Sequence, residues 1–437
     1  MEEEGFSLWF QDVDKKAREV IGEKAWGLAE MYNAGFPVPP GFVITHLAFK
    51  QFLEENGIKH IVRNMLKNVD SENMQDTAEK IQGMIMNASV GGSLRREIIE
   101  NYSNLNVNLD VFKMLNGPTL SMIKSGRELP YVAVRGSLVA EAAAGLEKPV
   151  TYLNVRGGSN IIKAMQACWA SLYSYSAMMS RAEKSISQTG VAVSIIIQRQ
   201  INSEKSGVVF TSHGDEDAER MLIEAGFGYG EAVVLNQVNP DKYFVDKGSL
   251  EVKEAALGRK EFMYTRDETM EKTKKMKLDA GKAEGAVLNL NEIKALGKLG
   301  NDIEKFYNNP RDIEFGIENG KLYVIQCRPY LELKKPYEEA LAGGEELAGV
   351  KQENVKPDDN SGSLFKMFDE PVQPDNMQPE IVHIRVEDGV EGRQEGVKDN
   401  AEDRVIANIA GVRIEMPKTK EGLRIAREIL ELIEKGI

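Results

Sequence analysis

The stretch D-I-E-F-G-I-E-N-G-K-L-Y-V-I-Q-C-R-P, residues Asp312–Pro329, has the pattern of a β-hairpin. Its flanks alternate in polarity, and E-N-G-K between them is a tight-turn signal. Pairing the flanks brings together four polar side chains, those of Asp312, Glu314, Gln326 and Arg328. Strand parity lets Glu314, Gln326 and Arg328 share one face. A carboxylate and an amide oxygen suit Mg²⁺ and an adjacent arginine suits a phosphate, whereas a cross-strand salt bridge is the structural alternative.

Strand patterns dominate the part of the chain before this hairpin, and a helix from Leu290 to Tyr307 leads into it. The predicted strands are Tyr131–Ser137, Thr151–Val155, Val191–Gln198, Ser206–Thr211, Met221–Ala225, Ala232–Asn236 and Lys242–Asp246. A helix is predicted from about Ser159 to Ala182, and four helical stretches between Ala48 and Asn101 predict a helical cap. These elements indicate an α+β or α/β fold built on a large sheet.

The length of 437 residues predicts several domains, since one domain typically has about 100–200 residues. We expect an N-terminal lobe with the helical cap over residues 1–130 and a second lobe over 131–335. Residues 336–376 are charged, contain glycine and have few aromatic residues, as linkers do. Residues 377–437 predict a small α+β appendage with short strands and an amphipathic helix.

Charge and cysteine usage restrict the classes of function. With 55 Lys and Arg against 68 Asp and Glu, the net charge is −13, which disfavours non-specific binding to nucleic acid. A phosphate-rich ligand must therefore be held by a local basic cluster. No stretch reaches the ~18 apolar residues of a membrane helix, so no membrane partner is expected. Cys168 and Cys327 lie far apart in apolar runs, which predicts free thiols and a cytoplasmic protein.

Three other segments carry candidate binding residues. Lys24 lies at a turn that enters a helix, where its ammonium group and free N–H groups can meet a phosphate, although a solvated surface lysine is the commoner reading. Arg135 ends an apolar strand and is either a phosphate ligand or a structural ion-pair partner. The turn E-A-G-F-G-Y-G-E contains Gly226, Gly228 and Gly230, which permit close approach of a ligand to the backbone. It is not a dinucleotide fingerprint, because its third glycine is misplaced and a strand is predicted after it.

These fragments, in this order, resemble the N-terminal PEP/pyruvate-binding domain family, the ATP-grasp-like nucleotide-binding part of PEP synthase and pyruvate phosphate dikinase. The resemblance runs from about Trp9 to Tyr330. Its motifs are G-E-K-A-W-G-L-A-E-M, A-G-F-P-V-P-P-G-F-V-I-T, V-A-V-R-G-S, C-W-A-S-L, S-G-V-V-F-T, G-F-G-Y-G-E, N-P-D-K-Y, D-I-E-F and Q-C-R-P. It implies an ATP-grasp-like fold, with ATP and Mg²⁺ as cofactors.

The resemblance also implies roles for individual residues. Lys24 and Arg135 would bind the ATP phosphates, and Arg328 the transferred phosphoryl group. Binding of Mg²⁺ and phosphate is implied for Asp312, Glu314 and Gln326, with Glu314 and Gln326 as the metal ligands. Gln198 lies where the family forms its adenine pocket, and Glu231 is assigned to cofactor binding. The chain departs from the family at Gly136 and Ala142 and in a shortened loop that normally covers the phosphates.

The family transfers a phosphoryl group to a histidine in a G-G-x-T-S/C-H pattern on a swivelling domain. The histidines of this sequence are His46, His60, His213 and His383, and none has that context; T-S-H at His213 is the closest. The barrel that binds PEP or pyruvate is not recognisable either.

We therefore expect a split enzyme of the phenylphosphate synthase or PEP synthase type, whose separate partner subunit carries the phosphohistidine and the small-molecule acceptor. A weakened ATP sensor or scaffold and an ATP-grasp ligase are the alternatives.

Overall fold

The computed structural model of this chain describes residues 5–105, 129–139, 150–212, 219–267, 269–270, 272–330, 404–409 and 412–417. The chain divides into two compact units. The first contains Met1–Ile99 and Tyr131–Asp359, and the second contains Glu100–Pro130 and Asn360–Ile437. Among the described residues, no helix is long and apolar enough to cross a bilayer.

The α-helices of the described ranges are α1 (Arg18–Asn33), α2 (His46–Glu55), α3 (Lys59–Lys67), α4 (Met74–Asn87), α5 (Gly92–Asn104), α6 (Gly158–Ser171), α7 (Tyr175–Glu183), α8 (Glu231–Val234), α9 (Ala280–Glu284) and α10 (Leu290–Tyr307). Helices α2, α3 and α4 belong to the predicted cap. Gln166 on α6 holds the cap in place, because its Nε2 donates to the carbonyl of Ile85 within α4 (3.0 Å) and to that of Ala88 just after this helix (2.9 Å).

Two antiparallel sheets form the body of the first unit. The first sheet has the strand order β1-β2-β5-β3-β4, and the second has the order β13-β12-β6-β7-β8-β9. Strands β10 and β11 form a separate hairpin. The strands are β1 (Ser7–Trp9), β2 (Gly41–Ile44), β3 (Val132–Val139), β4 (Thr151–Val155), β5 (Ala192–Arg199), β6 (Lys205–Phe210), β7 (Arg220–Phe227), β8 (Asp241–Asp246), β9 (Val252–Ala256), β10 (Phe262–Asp267), β11 (Lys272–Lys277), β12 (Arg311–Glu318) and β13 (Lys321–Pro329).

A continuous apolar core joins the two sheets through α1. Its buried members include Ile21 and Leu28 of α1, Ile196 of the first sheet, Ile223 of the second sheet and Leu296 of α10. Burial of such side chains contributes roughly 1.5–3 kcal/mol each. The apolar spacing of α1 and α10 therefore fixes both sheets around a shared centre.

The first sheet crosses the predicted boundary between residues 130 and 131. Strand β2, from the segment expected to be an N-terminal lobe, pairs with β5, and β5 pairs in turn with β3. The reason is that β1 and β2 form only a narrow ribbon and need β5 to complete a sheet. Residues on both sides of position 130 thus build one structure.

Most predicted elements occur within a few residues of their expected bounds, and the mixed α and β class is confirmed. The helix expected over residues 159–182 is broken into α6 and α7, because Ser174 caps α7 by accepting a hydrogen bond from the Ala177 N–H. The strand expected at Ala232–Asn236 is wrong: this run contains the short helix α8, whose Ala232 and Val233 are buried. A short apolar run fits either structure.

In the second unit, strands β14 (Arg404–Ile409) and β15 (Val412–Pro417) form an antiparallel pair. They coincide with the apolar run V-I-A-N-I-A-G-V-R-I, which divides into two strands. The linker at 336–376, the other predicted strand and the amphipathic helix of the appendage lie outside the described residues.

Candidate functional site

The hairpin β12–β13 places the four polar side chains at facing positions. Asp312 pairs with Arg328, and Glu314 pairs with Gln326. Because both pairs are two residues apart along the strands, all four side chains leave the same face of the second sheet. The turn fits the sequence signal, since Asn319 (φ 50°) and Gly320 (φ 72°) both have positive φ.

A β-bulge next to Gln326 makes a backbone carbonyl available for a contact between the two sheets. The register shifts after Glu314, where Phe315 pairs with Val324, and Ile325 is left without a cross-strand partner in the hairpin. The Ile325 carbonyl instead accepts a hydrogen bond from Arg135 Nη1 at 3.0 Å. The bulge thus aims a backbone acceptor at β3 of the first sheet.

Arg135 is the side chain that joins β3 to this hairpin. In addition to its bond to Ile325, its Nη2 donates to Gln326 Oε1 at 2.8 Å. The side chain is buried, and burial lowers the pKa of its guanidinium while the nearby charge of Glu314 raises it. Arginine stays protonated in proteins, so a cation is held between the two sheets next to Gln326 and Glu314.

Arg328 and Asp312 form the cross-strand salt bridge that was the structural alternative for this hairpin. Nε and Nη2 of Arg328 both lie 2.6 Å from Asp312 Oδ2. The Asp312 side chain is only 8% exposed, whereas that of Arg328 is 42% exposed. Asp312 therefore orients a guanidinium that solvent, and hence a ligand, can still reach.

Glu314 differs from Asp312 in its surroundings. Its side chain is half-buried, and across the hairpin it is paired with Gln326 rather than with an arginine. In the described part of the chain, no group of three or more His, Cys, Asp or Glu residues is arranged to hold a metal ion. Gln326, opposite Glu314 in the hairpin, offers an amide oxygen as a second donor at this position.

Lys24 is positioned by an interruption in α1. Gly22 has φ 75° and ψ 165°, so the helix begins again immediately before Lys24. Hydrogen bonds tie this segment to the first sheet: the Ala25 N–H donates to Ser137 Oγ at 3.2 Å, and Ser194 Oγ donates to the Ile21 carbonyl. Lys24 is thus held beside β3, the strand that carries Arg135.

Replacing Gly22 by alanine tests this anchor. A Cβ at Gly22 would lie 2.1 Å from the Leu138 carbonyl oxygen, and the positive φ disfavours any other side chain. We expect a loss of about 3 kcal/mol or more in the free energy of unfolding, measured by urea titration.

Gly27→Ala is the matched control for this substitution, since nothing lies within 4 Å of a Cβ at that position of the same helix. It should stabilise the protein by about 0.5–1 kcal/mol. Equal stabilities for the two variants would contradict the anchor.

Gln198 and Glu231 are distant from the β12–β13 hairpin in sequence, and they lie on two different elements, β5 and α8. Gln198 is buried on β5, and its Nε2 donates to the Pro39 carbonyl at 3.0 Å. Glu231 is the first residue of α8 and is half-buried, and burial raises the pKa of its carboxyl group. Their roles in nucleotide binding remain predictions.

In the turn at residues 226–230, Gly226 and Gly228 lie so close to other parts of the protein that a side chain would not fit. A Cβ at Gly228 would lie 2.2 Å from the Tyr264 carbonyl oxygen, and one at Gly226 would lie 2.6 Å from Val233. Gly228 also has φ 74°. The close approach that these glycines permit is therefore to β10 and α8. A helix, not a strand, follows this turn, although the glycine spacing still differs from a dinucleotide fingerprint.

Both cysteines are free thiols, as predicted. Cys168 is buried, and burial raises the pKa of its thiol to about 12, although the charge of nearby Lys24 acts in the opposite direction. Cys327 is half-buried, and burial likewise raises its thiol pKa to about 12. The shortened loop with Ala142, and the histidines His213 and His383, lie outside the described residues.

Comparison with known proteins identifies the family of this chain. The family model "Pyruvate phosphate dikinase, AMP/ATP-binding domain" matches residues 18–346. A probable phosphoenolpyruvate synthase from Methanocaldococcus jannaschii is 35% identical over 349 residues, which cover 78% of this chain and 28% of that protein. A phosphoenolpyruvate synthase from Pyrococcus furiosus is 32% identical over 417 residues, covering 83% of this chain and 48% of that protein.

This chain spans less than half the length of these relatives. Solved structures resemble it weakly: D-alanine–D-alanine ligase from Helicobacter pylori has a TM-score of 0.20 and 11% identity over 51% of this chain and 45% of the ligase. The family model, by contrast, covers most of the sequence, including Lys24, Arg135 and the whole β12–β13 hairpin. The chain therefore belongs to the pyruvate phosphate dikinase AMP/ATP-binding domain family.

Proposed function

We propose that this chain binds MgATP and phosphorylates a histidine on a partner subunit, such that ATP, water and the histidine give AMP, inorganic phosphate and phosphohistidine overall. The phosphoryl group on the histidine would then pass from the partner to an acceptor such as phenol or pyruvate. The observation that supports this most directly is the contact of Arg135 with Gln326 and Ile325, because it joins the two sheets at the polar face of the hairpin.

The charges around this face suit a polyphosphate. The chain as a whole has a net charge of −13, yet Arg135 and Arg328 lie on or against one hairpin, and Lys24 is anchored beside the strand of Arg135. A guanidinium offers a planar pair of donors to phosphate oxygens, and a lysine offers a compact charge. We infer that these three cations hold the phosphates of ATP.

The oxygen donors of the hairpin, on Glu314 and Gln326, suit Mg²⁺. Magnesium in nucleotide sites commonly uses one or two carboxylates together with phosphate oxygens and water. Glu314 supplies a half-buried carboxylate, and Gln326 Oε1 retains a second lone pair beyond its bond to Arg135. When bound, Mg²⁺ would neutralise phosphate charge, while Glu314 and Gln326 would fix where that charge lies.

Arg328 is suited to the transferred group. Its guanidinium reaches solvent, while buried Asp312 holds it in a defined direction. Phosphoryl transfer depends chiefly on positioning and charge neutralisation, so an oriented and accessible cation lowers the barrier as the group departs. Asp312 in this arrangement acts on the phosphate through Arg328.

The partner is proposed from the sequence. None of the four histidines of this sequence lies in a G-G-x-T-S/C-H segment, the context expected for the acceptor. We place the acceptor histidine, and the site for phenol or pyruvate, on a separate subunit. The two chains would form a hetero-oligomer.

Incubation with ATP labelled at the β- or γ-phosphate tests this proposal. The chain is incubated alone and with the product of a neighbouring gene that contains a G-G-x-T-S/C-H segment. We expect AMP to form and label to appear on the partner only when both proteins are present. A partner whose acceptor histidine is replaced by alanine is the control.

Two results would reject the proposal. Tight ATP binding without any turnover would favour a sensor or scaffold. Label on this chain itself, for example at His213, would place the acceptor here and remove the need for a partner.

A further inference from the structure

Asn154, at the end of β4, has an unusual environment outside the hairpin. Its backbone has φ 56°, and its side chain is buried. Its Oδ1 accepts hydrogen bonds from Gln200 Nε2 at 3.0 Å and Arg266 Nε at 2.9 Å, and lies 3.1 Å from the Tyr229 hydroxyl. Its Nδ2 donates to Thr273 Oγ1 at 2.8 Å. The amide oxygen thus has three polar neighbours, and the amide nitrogen donates to a fourth.

The partners of Asn154 come from three separate elements. Gln200 follows β5 of the first sheet, and Tyr229 belongs to the glycine-rich turn that follows β7 of the second sheet. Arg266 and Thr273 face each other across the β10–β11 hairpin. A single buried amide therefore connects both sheets and the hairpin.

Additional contacts stabilise this junction, the place where both sheets and the β10–β11 hairpin meet at Asn154. The Arg266 guanidinium lies 3.9 Å from the ring centre of Tyr131, which precedes β3. The Tyr229 hydroxyl is also 3.1 Å from Asn202 Oδ1, and the Tyr229 N–H donates to the Tyr264 carbonyl at 2.8 Å. The glycine-rich turn is thereby held between β10 and the first sheet.

The junction has a direct connection to the proposed nucleotide site. Strand β4 pairs through Thr151 with Arg135, and the same strand carries Asn154 three residues later. Tyr229 precedes Glu231 by two residues. The Asn154 side chain therefore sets the position of the turn before Glu231 relative to the strand that carries Arg135.

We propose that Asn154 is a positioning residue for nucleotide binding, which clasps the glycine-rich turn and the β10–β11 hairpin to the first sheet. This inference rests on the proposed function, because it assumes that Arg135 and Glu231 contact the same nucleotide. An amide suits the task because it accepts from several donors and also donates to Thr273. Asparagine also tolerates positive φ better than most residues.

Asn154→Gly removes the side chain but keeps the backbone conformation, since glycine accepts positive φ without strain. We expect hydrogen exchange at the Tyr229 amide and in β11 to become at least about tenfold faster, while exchange in β12–β13 stays unchanged. Asn308→Gly is the matched control, because Asn308 also has positive φ (53°) and lies at the end of α10. Unchanged hydrogen exchange at Tyr229 would overturn the proposed clasp, and this result does not depend on whether the protein binds ATP.

Titration with MgATP then tests the positioning role. We expect the Kd of Asn154→Gly to rise about tenfold at a temperature where circular dichroism shows it folded, while Asn308→Gly binds normally. With the partner present, KM should rise more than kcat falls. Asn154→Asp, which keeps the acceptors and tolerates the same φ, should restore most of the affinity.

The possible failures are distinguishable. If the unaltered protein does not bind MgATP, the proposed function fails, and the exchange measurement still decides the clasp. If exchange accelerates while Kd stays unchanged, Asn154 is structural only and the positioning role is overturned.

Discussion

Arg328→Ala is expected to reduce phosphoryl transfer by about 10³-fold or more while weakening ATP binding by only about tenfold. The guanidinium is accessible and is oriented by Asp312, so its charge matters most when negative charge develops on the departing phosphoryl group. The ground-state nucleotide retains the contacts proposed for Arg135 and Lys24. Single-turnover transfer of label to the partner, together with a binding titration of MgATP, measures the two effects separately.

Two further variants make this experiment specific. Arg328→Lys keeps the charge but loses the planar pair of donors, so transfer should recover only in part. Arg63→Ala removes an exposed arginine from α3 of the helical cap and should leave transfer unchanged. Turnover of Arg328→Ala at the rate of the unaltered protein would refute the assignment.

Lys260→Met is expected to destabilise the protein by about 3–5 kcal/mol, because it leaves a buried carboxylate without its counter-ion. Lys260 and Asp241 are both 0% exposed and form an ion pair. Asp241 also accepts from the N–H groups of Gly258 (3.0 Å) and Val287 (2.7 Å). The pair therefore joins β8 to the segments before β10 and α10. Urea unfolding followed by circular dichroism gives the free energy of unfolding.

Adding Asp241→Asn to Lys260→Met should recover part of the lost stability. The double variant no longer buries an unpaired charge, although one backbone donor near residue 241 loses its acceptor at a cost of about 1–3 kcal/mol. Lys80→Met, which removes an exposed partner of Asp76, is the control and should change stability by about 1 kcal/mol or less. A double variant less stable than Lys260→Met would contradict this account.

The elements that sequence reasoning placed well carry strong local signals. Helix α10 has an apolar stripe and begins with a capping box of Asn289 and Glu292, and its predicted bounds are those observed. The hairpin β12–β13 alternates in polarity around Asn319 and Gly320, which both adopt the positive φ of a tight turn. Both patterns are complete within a few residues of chain, so tertiary structure does not override them.

The elements that sequence reasoning missed lack such signals. Strand β11 is exposed along its whole length and contains four lysines, so no apolar alternation marks it. Its position depends on distant contacts, such as that of Thr273 with Asn154. The run Ala232–Asn236 is a short buried apolar stretch, and such a stretch has no period that distinguishes a strand from a helix.

For the site, strand parity correctly predicted which side chains of the hairpin share a face, and the observed register adds Asp312 to that face. It did not predict that Arg135 reaches Gln326, since the contact joins residues far apart in sequence and depends on a bulge at Ile325. Asn154 gave no signal of its own, because a buried amide is recognised only by its partners. A positive φ at an asparagine is the one property that a sequence weakly favours.

The first sheet also sets the order of events on the ribosome. Strand β2 ends at Ile44, but its neighbour β5 is synthesised more than a hundred residues later. At elongation rates of roughly 5–20 residues per second, β2 waits on the order of ten seconds for that neighbour. During this interval its open edge can pair with other nascent chains. The yield of this protein should therefore depend more strongly on growth temperature and on the supply of chaperones than the yield of a protein whose strands pair locally.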